Sequence, residues 1–313
     1  MEEQTHSHQL SRMVRTRYYI LLVCTFPLQY NTNNCRSHTW KALHPRWQYR
    51  LWTDEDNRGL VARHYPWFLP TYDALPRGIM RADAVRYLYM HRHGGVYADL
   101  DTVCVRPLDA FLVDALPQQS STGGSTSAVL ALMSDDIAFE HNIPNAWMAS
   151  TPGHPFWLFV VGIIDHRHRQ HQVSFYQWMA HVFRPLKAEY VTGPVVLKQA
   201  YDTWVGVVGG NGGKVGGVVV VPPGSIFVAD WYVLLSCLHK MNTLFFFSLH
   251  VLMFTHIHLH ITQYKNRHNL TALDEYWEEC NGDDILKKYA QERCLRAYPN
   301  AHVLTYWTHS WSR

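Results

Sequence analysis

Two acidic residues separated by one position, Asp99 and Asp101, are the side chains of this sequence best suited to chemistry. They follow a short run, residues 96–98, whose composition predicts a strand. If the strand continues through residue 101, both carboxylates project to the same side of it. Like charges held so close repel each other, and a hard divalent cation such as Mg²⁺ or Mn²⁺ relieves that repulsion. The pair therefore predicts a metal site that can hold a diphosphate.

The element that must position this pair is a helix before it. Apolar residues lie with helical spacing between Arg81, Asp83 and Arg86 and beyond them. Gly94 and Gly95 then supply a stop signal, because glycine adopts the positive φ that ends many helices. The sequence thus predicts a helix, a turn and a strand in succession, with the acids at the end of the strand.

Composition predicts a globular α/β protein and excludes some functions. The 313 residues are 47% hydrophobic and 17% charged, which is enough for one elaborated domain with a sizeable core. A net charge of +3 argues against nucleic acid as a partner, although 21 histidines make the chain more positive in acid. The six cysteines contain no C-x-x-C pair, so a zinc ribbon is not expected. Cys280 and Cys294 flank a helical stretch and could form a disulfide or remain free thiols.

The motif around the paired acids resembles glycosyltransferase family 32, a group of sugar transferases that includes inositol phosphoceramide mannosyltransferases and initiating Golgi mannosyltransferases. The matching segments are Arg81-Ala82-Asp83, Arg86-Tyr87, Gly94-Gly95-Val96-Tyr97 and Asp99-Leu100-Asp101. The last segment, from Ala301 to Trp311, resembles the closing motif of the same family. The resemblance implies a GT-A-like α/β fold, in which helices flank a mixed central sheet.

The resemblance also implies a site. Its catalytic residues are Asp99, Asp101 and Arg86. The ligands of Mn²⁺ or Mg²⁺ are Asp101 and His309, with Asp99 as a third candidate. Residues expected to bind the donor sugar or its nucleotide are Trp40, Trp52, Asp83, Arg86, Asp99 and Trp311. Residues expected on the acceptor side are Asn145, Thr192 and Gly193. For Trp52, stacking on the nucleobase and packing in the core remain alternatives.

Several segments give predictions about local structure. The apolar run at residues 18–26 spans only about 14 Å as a helix, against roughly 30 Å for a bilayer core, so a buried first strand is expected. Two helices are expected at Phe156–Asp165 and Phe175–Phe183, joined by a solvated connection at residues 165–169. Proline after Thr192-Gly193 predicts a helix start, and Val218–Val221 predicts a strand. Residues 118–127 form either a lid or a surface linker.

Four regions follow from these patterns. Residues 1–35 form an N-terminal segment of uncertain structure, and residues 36–231 form the GT-A-like catalytic domain. Residues 232–270 change abruptly in composition to Leu, Phe and His, so we expect an insertion or an artefact of the gene prediction, packed poorly on the core. Residues 271–313 complete the catalytic domain with the second part of the metal site.

By resemblance, the expected function is metal-dependent sugar transfer with retention of anomeric configuration. GDP-mannose is the expected donor and inositol phosphoceramide the expected acceptor, with protein-linked glycans as an alternative. A membrane-bound regulatory subunit is a candidate partner. The expected location is the Golgi or ER membrane with a lumenal site. Ala146 stands where the family often has a carboxylate, so an inactive protein of this family is the remaining alternative.

Overall fold

The computed structural model describes most of the chain up to residue 226 and a short C-terminal stretch. The described residues are 19–23, 37–100, 102–115, 126–133, 135–173, 187–208, 214–226, 292, 296 and 299–305. Predictions that lie outside them concern Asp101, His309, Trp311, the Cys280 and Cys294 pair, the helix at Phe175–Phe183, the loop residues 118–125 and the block at 232–270. None of the helices described is both long and apolar enough for a membrane span.

Helices and strands alternate along the described part of the chain. The helices are α1 (Ser37–Leu43), α2 (Asp54–His64), α3 (Leu69–Ala74), α4 (Gly78–Arg92), α5 (Asp109–Ala115), α6 (Pro155–Val173), α7 (Ala188–Val191) and α8 (Pro194–Val208). The strands are β1 (Tyr19–Val23), β2 (Gln48–Trp52), β3 (Gly95–Ala98), β4 (Thr102–Cys104), β5 (Ala128–Ala131), β6 (Trp147–Ser150), β7 (Lys214–Val215), β8 (Val218–Val221) and β9 (Val303–Thr305).

Seven strands form a central sheet in the order β2-β1-β3-β6-β5-β8-β7. The pairs β1–β2, β1–β3 and β5–β8 are parallel, whereas β3–β6, β5–β6 and β7–β8 are antiparallel. The predicted mixed central sheet flanked by helices is therefore confirmed. The predicted first strand is also confirmed, and because β1 lies between β2 and β3, residues before position 36 contribute to the sheet.

The two faces of the sheet bury separate hydrophobic clusters. Side chains alternate along β3, so that Tyr97 packs toward α4 and α6, while Val96 and Ala98 pack on the opposite face near α1 and β9. Tyr97 and Asp99 share one face of the strand and its continuation, as their hydrogen bond shows. Asp99, which follows the end of β3, therefore lies on the side of the sheet that α4 covers.

The predicted helix and turn before β3 are confirmed. In α4 every residue from Ala82 to Met90 is buried, so the helix is held by packing along most of its surface. Gly94 and Gly95 have φ values of 63° and 84°, which favour glycine. A Cβ on Gly94 would also lie 2.6 Å from the Pro152 nitrogen. The glycine turn therefore sets the close approach of α4 to the loop after β6.

Two predictions of local structure are wrong. The strand does not continue through residue 101, because β3 ends at Ala98 and the Asp99 carbonyl accepts hydrogen bonds from the Thr102 amide at 3.1 Å and from its hydroxyl. These bonds close a turn that leads into β4. Residues 165–169 are not a connection either, since α6 runs through them and Arg169 pairs with Asp165 one turn earlier, at 2.9 Å. The predicted starts of α8 and β8 are confirmed.

A small second sheet joins the C-terminal strand β9 to β4, the strand that follows Asp99 and its turn. Strand β9 pairs antiparallel with β4, and Thr305 lies opposite Thr102. Because the strands run in opposite directions, the C-terminal end of β9 lies beside the N-terminal end of β4. The Arg106 guanidinium donates a hydrogen bond to the Ala301 carbonyl at 2.6 Å, which fixes the other end of the pair.

Candidate active site

Arg86 is the centre of a buried polar cluster at the end of β3. Its guanidinium lies 2.9 Å from Asp83 Oδ1 and 3.1 Å from Asp99 Oδ1, and it donates to the Asn145 carbonyl at 2.7 Å. The guanidinium also lies over the Tyr97 ring, 4.8 Å from its centroid. Arginine suits this position because its planar fork of donors reaches several acceptors at once.

Asp83 joins Arg86 to two later segments of the chain. Its Oδ1 accepts a hydrogen bond from Asn145 Nδ2 at 2.9 Å, and its Oδ2 accepts one from the Thr192 hydroxyl at 3.3 Å. Only 7% of the Asp83 side chain is exposed. The structure thus brings together Asp83, Arg86, Asn145 and Thr192, which the sequence resemblance placed on the donor and acceptor sides.

Asp99 is the member of the cluster that opens to solvent. Its side chain is 30% exposed, against 5% for Arg86. Oδ1 accepts a hydrogen bond from the Tyr97 hydroxyl at 2.5 Å, and the Asp99 amide donates to the Ala146 carbonyl at 2.9 Å. Among the described residues no donor contacts Oδ2. Within the described part of the chain, Asp99 therefore has one oxygen held by the protein and one without a protein donor.

The charges in this cluster are two carboxylates and one guanidinium. Burial raises the pKa of Asp83 to about 6, against the opposing effects of Arg86 and of the hydrogen bonds from Asn145 and Thr192. Burial lowers the pKa of Arg86, but the Asp99 and Asp83 carboxylates raise it by more, so it lies above its ordinary value. Burial likewise raises the pKa of Tyr97, which remains a neutral donor. With Asp83 ionised, the site carries a net negative charge.

The exposed Asp99 oxygen fits a divalent metal, since hard cations prefer carboxylate oxygen. Asp101 and His309, the other two predicted ligands, lie outside the described residues, and the residues that are described contain no group of three or more metal-binding side chains. Among the described residues, Thr305 at the end of β9 lies opposite Thr102 at the start of β4. The metal site therefore remains a prediction.

The predicted tryptophans take different positions. Trp40 is fully buried, and its indole donates a hydrogen bond to the Thr102 carbonyl at 3.3 Å, beside the turn that begins at Asp99. Trp52 is 2% exposed and stacks on Tyr89 with ring centroids 4.3 Å apart. The structure therefore places Trp52 in the core, the second of the two alternatives. Trp311 lies outside the described residues.

Gly193, the last residue predicted on the acceptor side, contributes through its backbone. Its carbonyl is 3.4 Å from the Tyr87 hydroxyl, and its amide bonds to the Ala188 carbonyl at 3.0 Å. A Cβ at this position would lie 2.8 Å from Glu189 Cα. The absence of a side chain thus lets α7 and α8 meet tightly beside Thr192.

Tyr87 and Tyr97 belong to the matching motif segments, but sequence reasoning assigned neither of them a role in the site. Tyr97 bonds to Asp99, and Tyr87 bonds to Asn145, Thr192 and Gly193. A signal for Tyr97 was present, because residues two positions apart on a strand share a face. No local pattern indicated the partners of Tyr87, since Asn145 and Thr192 lie 58 and 105 residues away along the chain.

Comparisons with known proteins find relatives of this sequence. Over 163 residues the chain is 36% identical to inositol phosphoceramide mannosyltransferase 3 of Schizosaccharomyces pombe, with 52% of this chain and 38% of that protein covered. Over 167 residues it is 35% identical to mannosyl phosphorylinositol ceramide synthase CSH1 of Saccharomyces cerevisiae, with 52% and 37% covered. The chain thus spans less than two fifths of the length of these relatives.

A solved structure, the PaToxG glycosyltransferase, is similar with a TM-score of 0.42 and 13% identity, over 64% of this chain and 76% of that chain. Residues 31–122 match the family described as a glycosyltransferase sugar-binding region containing a DXD motif. This match includes Asp83, Arg86 and Asp99, which the structure brings together. Over residues 31–122 the chain is therefore similar to glycosyltransferase sugar-binding regions that contain a DXD motif.

Proposed function

We propose that this protein is a metal-dependent glycosyltransferase that moves mannose from GDP-mannose to inositol phosphoceramide with retention of configuration. The observation that carries the proposal is the Asp83–Arg86–Asp99 cluster, with Asp99 open to solvent at the end of β3, inside the family match. The acceptor is supported by the names of relatives such as inositol phosphoceramide mannosyltransferase 3. The donor and the stereochemistry follow from the resemblance in sequence.

In this proposal the chain's own residues bind and orient the donor. Asp99 offers its outer oxygen to the metal or to the ribose, while Arg86 holds the inner oxygen in place. The Arg86 charge also lowers the electrostatic cost of negative charge that develops on the departing diphosphate. A bound Mn²⁺ or Mg²⁺, held by Asp101, His309 and Asp99, would supply Lewis-acid stabilisation of that diphosphate.

The bond changes are those of sugar transfer. The bond between the anomeric carbon and the diphosphate oxygen breaks, and a bond forms to the acceptor hydroxyl oxygen. The acceptor proton passes to a phosphate oxygen of the leaving diphosphate. We favour same-face attack assisted by that phosphate, because the sequence offers no compelling covalent nucleophile for a two-step route.

The proposal extends to location and partners. We infer a lumenal site at the Golgi or ER membrane and a membrane-bound regulatory subunit as a candidate partner. Both come from the resemblance to the family. Fractionation of cells that express the tagged protein tests the location, and a protein recovered in the cytosolic fraction contradicts it.

Activity is tested with a panel of nucleotide sugars in the presence of Mn²⁺. We expect hydrolysis of GDP-mannose above the other donors, and transfer when inositol phosphoceramide is added in detergent. Chelation by EDTA and the variant Asp101→Ala should each reduce both reactions to background, because the metal contact is lost. Asp73→Ala is the matched control, since Asp73 is an exposed carboxylate paired with Arg58 on α2.

The outcomes separate the alternatives. Transfer to a protein-linked glycan but not to the lipid would contradict the proposed acceptor and support the proposed enzyme class. Full activity with the chelator present contradicts the metal role. If the wild-type protein turns over none of the donors, the proposed glycosyltransferase activity is contradicted, and the alternative of an inactive protein is favoured.

A further inference from the structure

The hydroxyl of Tyr87 joins three separate segments of the candidate site. It donates a hydrogen bond shared between the Thr192 carbonyl at 3.0 Å and the Gly193 carbonyl at 3.4 Å. It accepts one from Asn145 Nδ2 at 3.3 Å. The ring is fully buried and stacks on Trp157, so the hydroxyl has a fixed position. The Tyr87 side chain on α4 therefore positions both the loop before β6 and the segment that leads into α8.

The same contacts determine how Asn145 is oriented. Its Nδ2 donates to both Asp83 and Tyr87, and these two acceptors define which end of the amide faces inward. Oδ1 therefore points to the other side and accepts no hydrogen bond from a described residue. Asn145 retains 7% exposure. Its Oδ1 is an acceptor that a hydroxyl of a bound sugar or acceptor can use.

We propose that Tyr87 is a positioning residue for the acceptor step. It touches no substrate; it fixes Asn145 and the Thr192–Gly193 backbone relative to the Asp83–Arg86 pair, so that an acceptor hydroxyl meets the sugar in one geometry. This inference rests on the proposed function. Because water is small and abundant, hydrolysis of the donor depends less on that alignment than transfer does.

Helix α4 provides a matched control two residues away. Tyr89 is also fully buried on α4, and its ring stacks on Trp52. Its hydroxyl has no hydrogen-bond partner in the described part of the chain. Removing the hydroxyl from Tyr89 therefore makes the same chemical change in the same helix, but breaks no link between segments.

The experiment compares wild type, Tyr87→Phe and Tyr89→Phe in the full chain, using GDP-mannose with and without inositol phosphoceramide in detergent. For Tyr87→Phe we expect hydrolysis within about twofold of wild type and a ratio of transfer to hydrolysis reduced roughly tenfold, because the hydroxyl's contacts with Asn145 and with the Thr192 and Gly193 carbonyls are lost. For Tyr89→Phe we expect both rates within about twofold of wild type. Thermal unfolding of each variant checks that it is folded.

A double-mutant cycle tests whether Tyr87 acts through Asn145. We expect Tyr87→Phe to reduce the ratio much less in an Asn145→Ala background than in wild type, because the two residues share one link. Additive effects contradict the inference.

The other outcomes are also decisive. An unchanged ratio in Tyr87→Phe, or an equal loss of hydrolysis and transfer, shows that the hydroxyl does not position the acceptor. If Tyr87→Phe does not fold, Asn145→Ala alone carries the test, and an unchanged ratio in that variant contradicts the inference. A wild-type protein without hydrolysis or transfer refutes the proposed function, whereas an active wild type with an unaffected Tyr87→Phe refutes only the inference.

Discussion

At the scale of single residues, Arg86 decides whether the candidate site can exist. It is 4% exposed and lies between two carboxylates, each within 3.1 Å. A buried charge that loses its partner is costly, because the remaining ion has neither water nor a counter-charge around it. The site is therefore stable only while Arg86, Asp83 and Asp99 remain together.

We expect Arg86→Met to lower the free energy of unfolding by about 3–5 kcal/mol, measured by urea denaturation. The loss arises because Asp83 is left buried beside Asn145 with no cation. Arg58→Met is the matched control, since Arg58 pairs with Asp73 at 2.8 Å but is 58% exposed. It should change stability little, because exposed ion pairs contribute little. Equal losses in both variants would contradict the central role of Arg86.

At the scale of elements, the junction of α7 and α8 depends on Gly193. The Gly193 amide and the Thr192 amide both bond to the Ala188 carbonyl, so the end of α7 turns directly into α8. This turn places the Thr192 hydroxyl against Asp83. The junction is tight because a side chain at position 193 would overlap the backbone of Glu189.

We expect Gly193→Ala to destabilise the protein by about 1–3 kcal/mol, because the new Cβ would lie 2.8 Å from Glu189 Cα and backbone must move. Gly206→Ala in α8 is the matched control. A Cβ at Gly206 has no atom within 4 Å, and because Gly206 lies in the last turn of α8, alanine there should stabilise by at most about 0.5–1 kcal/mol. Differential scanning fluorimetry measures both. A stabilising Gly193→Ala would show that the junction is not tight.

At the scale of the whole molecule, buried histidines make stability depend on pH. Burial lowers the pKa of His93 and of His154 to about 4. His154 Nδ1 accepts a hydrogen bond from the Phe156 amide at the start of α6, and protonation of that nitrogen would remove the bond. A positive charge there is also unfavourable near the N-terminus of a helix. Burial also lowers the pKa of His44 and of His91.

The sign follows from which state binds more protons. Between pH 6.5 and about 4 an unfolded histidine is protonated while His154 in the fold is not, so stability is full above pH 6.5 and falls as the pH drops through this window. Asp83 acts in the opposite direction, because its pKa is raised to about 6 in the fold. The histidines outnumber it, so the net effect is loss of stability in acid.

We expect the free energy of unfolding to fall from pH 7 to pH 4, with His154 responsible for on the order of 3 kcal/mol of the fall. Urea denaturation of wild type and His154→Gln at several pH values measures this. The variant should be less stable at pH 7 and should have a flatter pH dependence. If the free energy of unfolding depends on pH with the same slope in both proteins, His154 is not a cause of the loss of stability in acid.

The sequence by itself determined the parts of this protein that rest on local spacing. The order of α4, the glycine turn and β3 followed from apolar periodicity and from two adjacent glycines, and the structure confirms each of them. The starts of α8 and β8 followed in the same way. The residues of the family motif, including Asp83, Arg86 and Asp99, were also identified from sequence, because their spacing along α4 and β3 is short and specific.

Only the tertiary structure decided how distant segments converge on that motif. Asn145 and Thr192 reach Asp83 across 62 and 109 residues, and no local pattern encodes which atoms meet over such separations. The end of β3 was mispredicted because the Thr102 amide and hydroxyl bond to the Asp99 carbonyl and turn the chain. Trp52 lies in the core because α4 places Tyr89 against its ring. These features depend on how the helices pack against the sheet and on contacts between distant segments, which involve the whole chain.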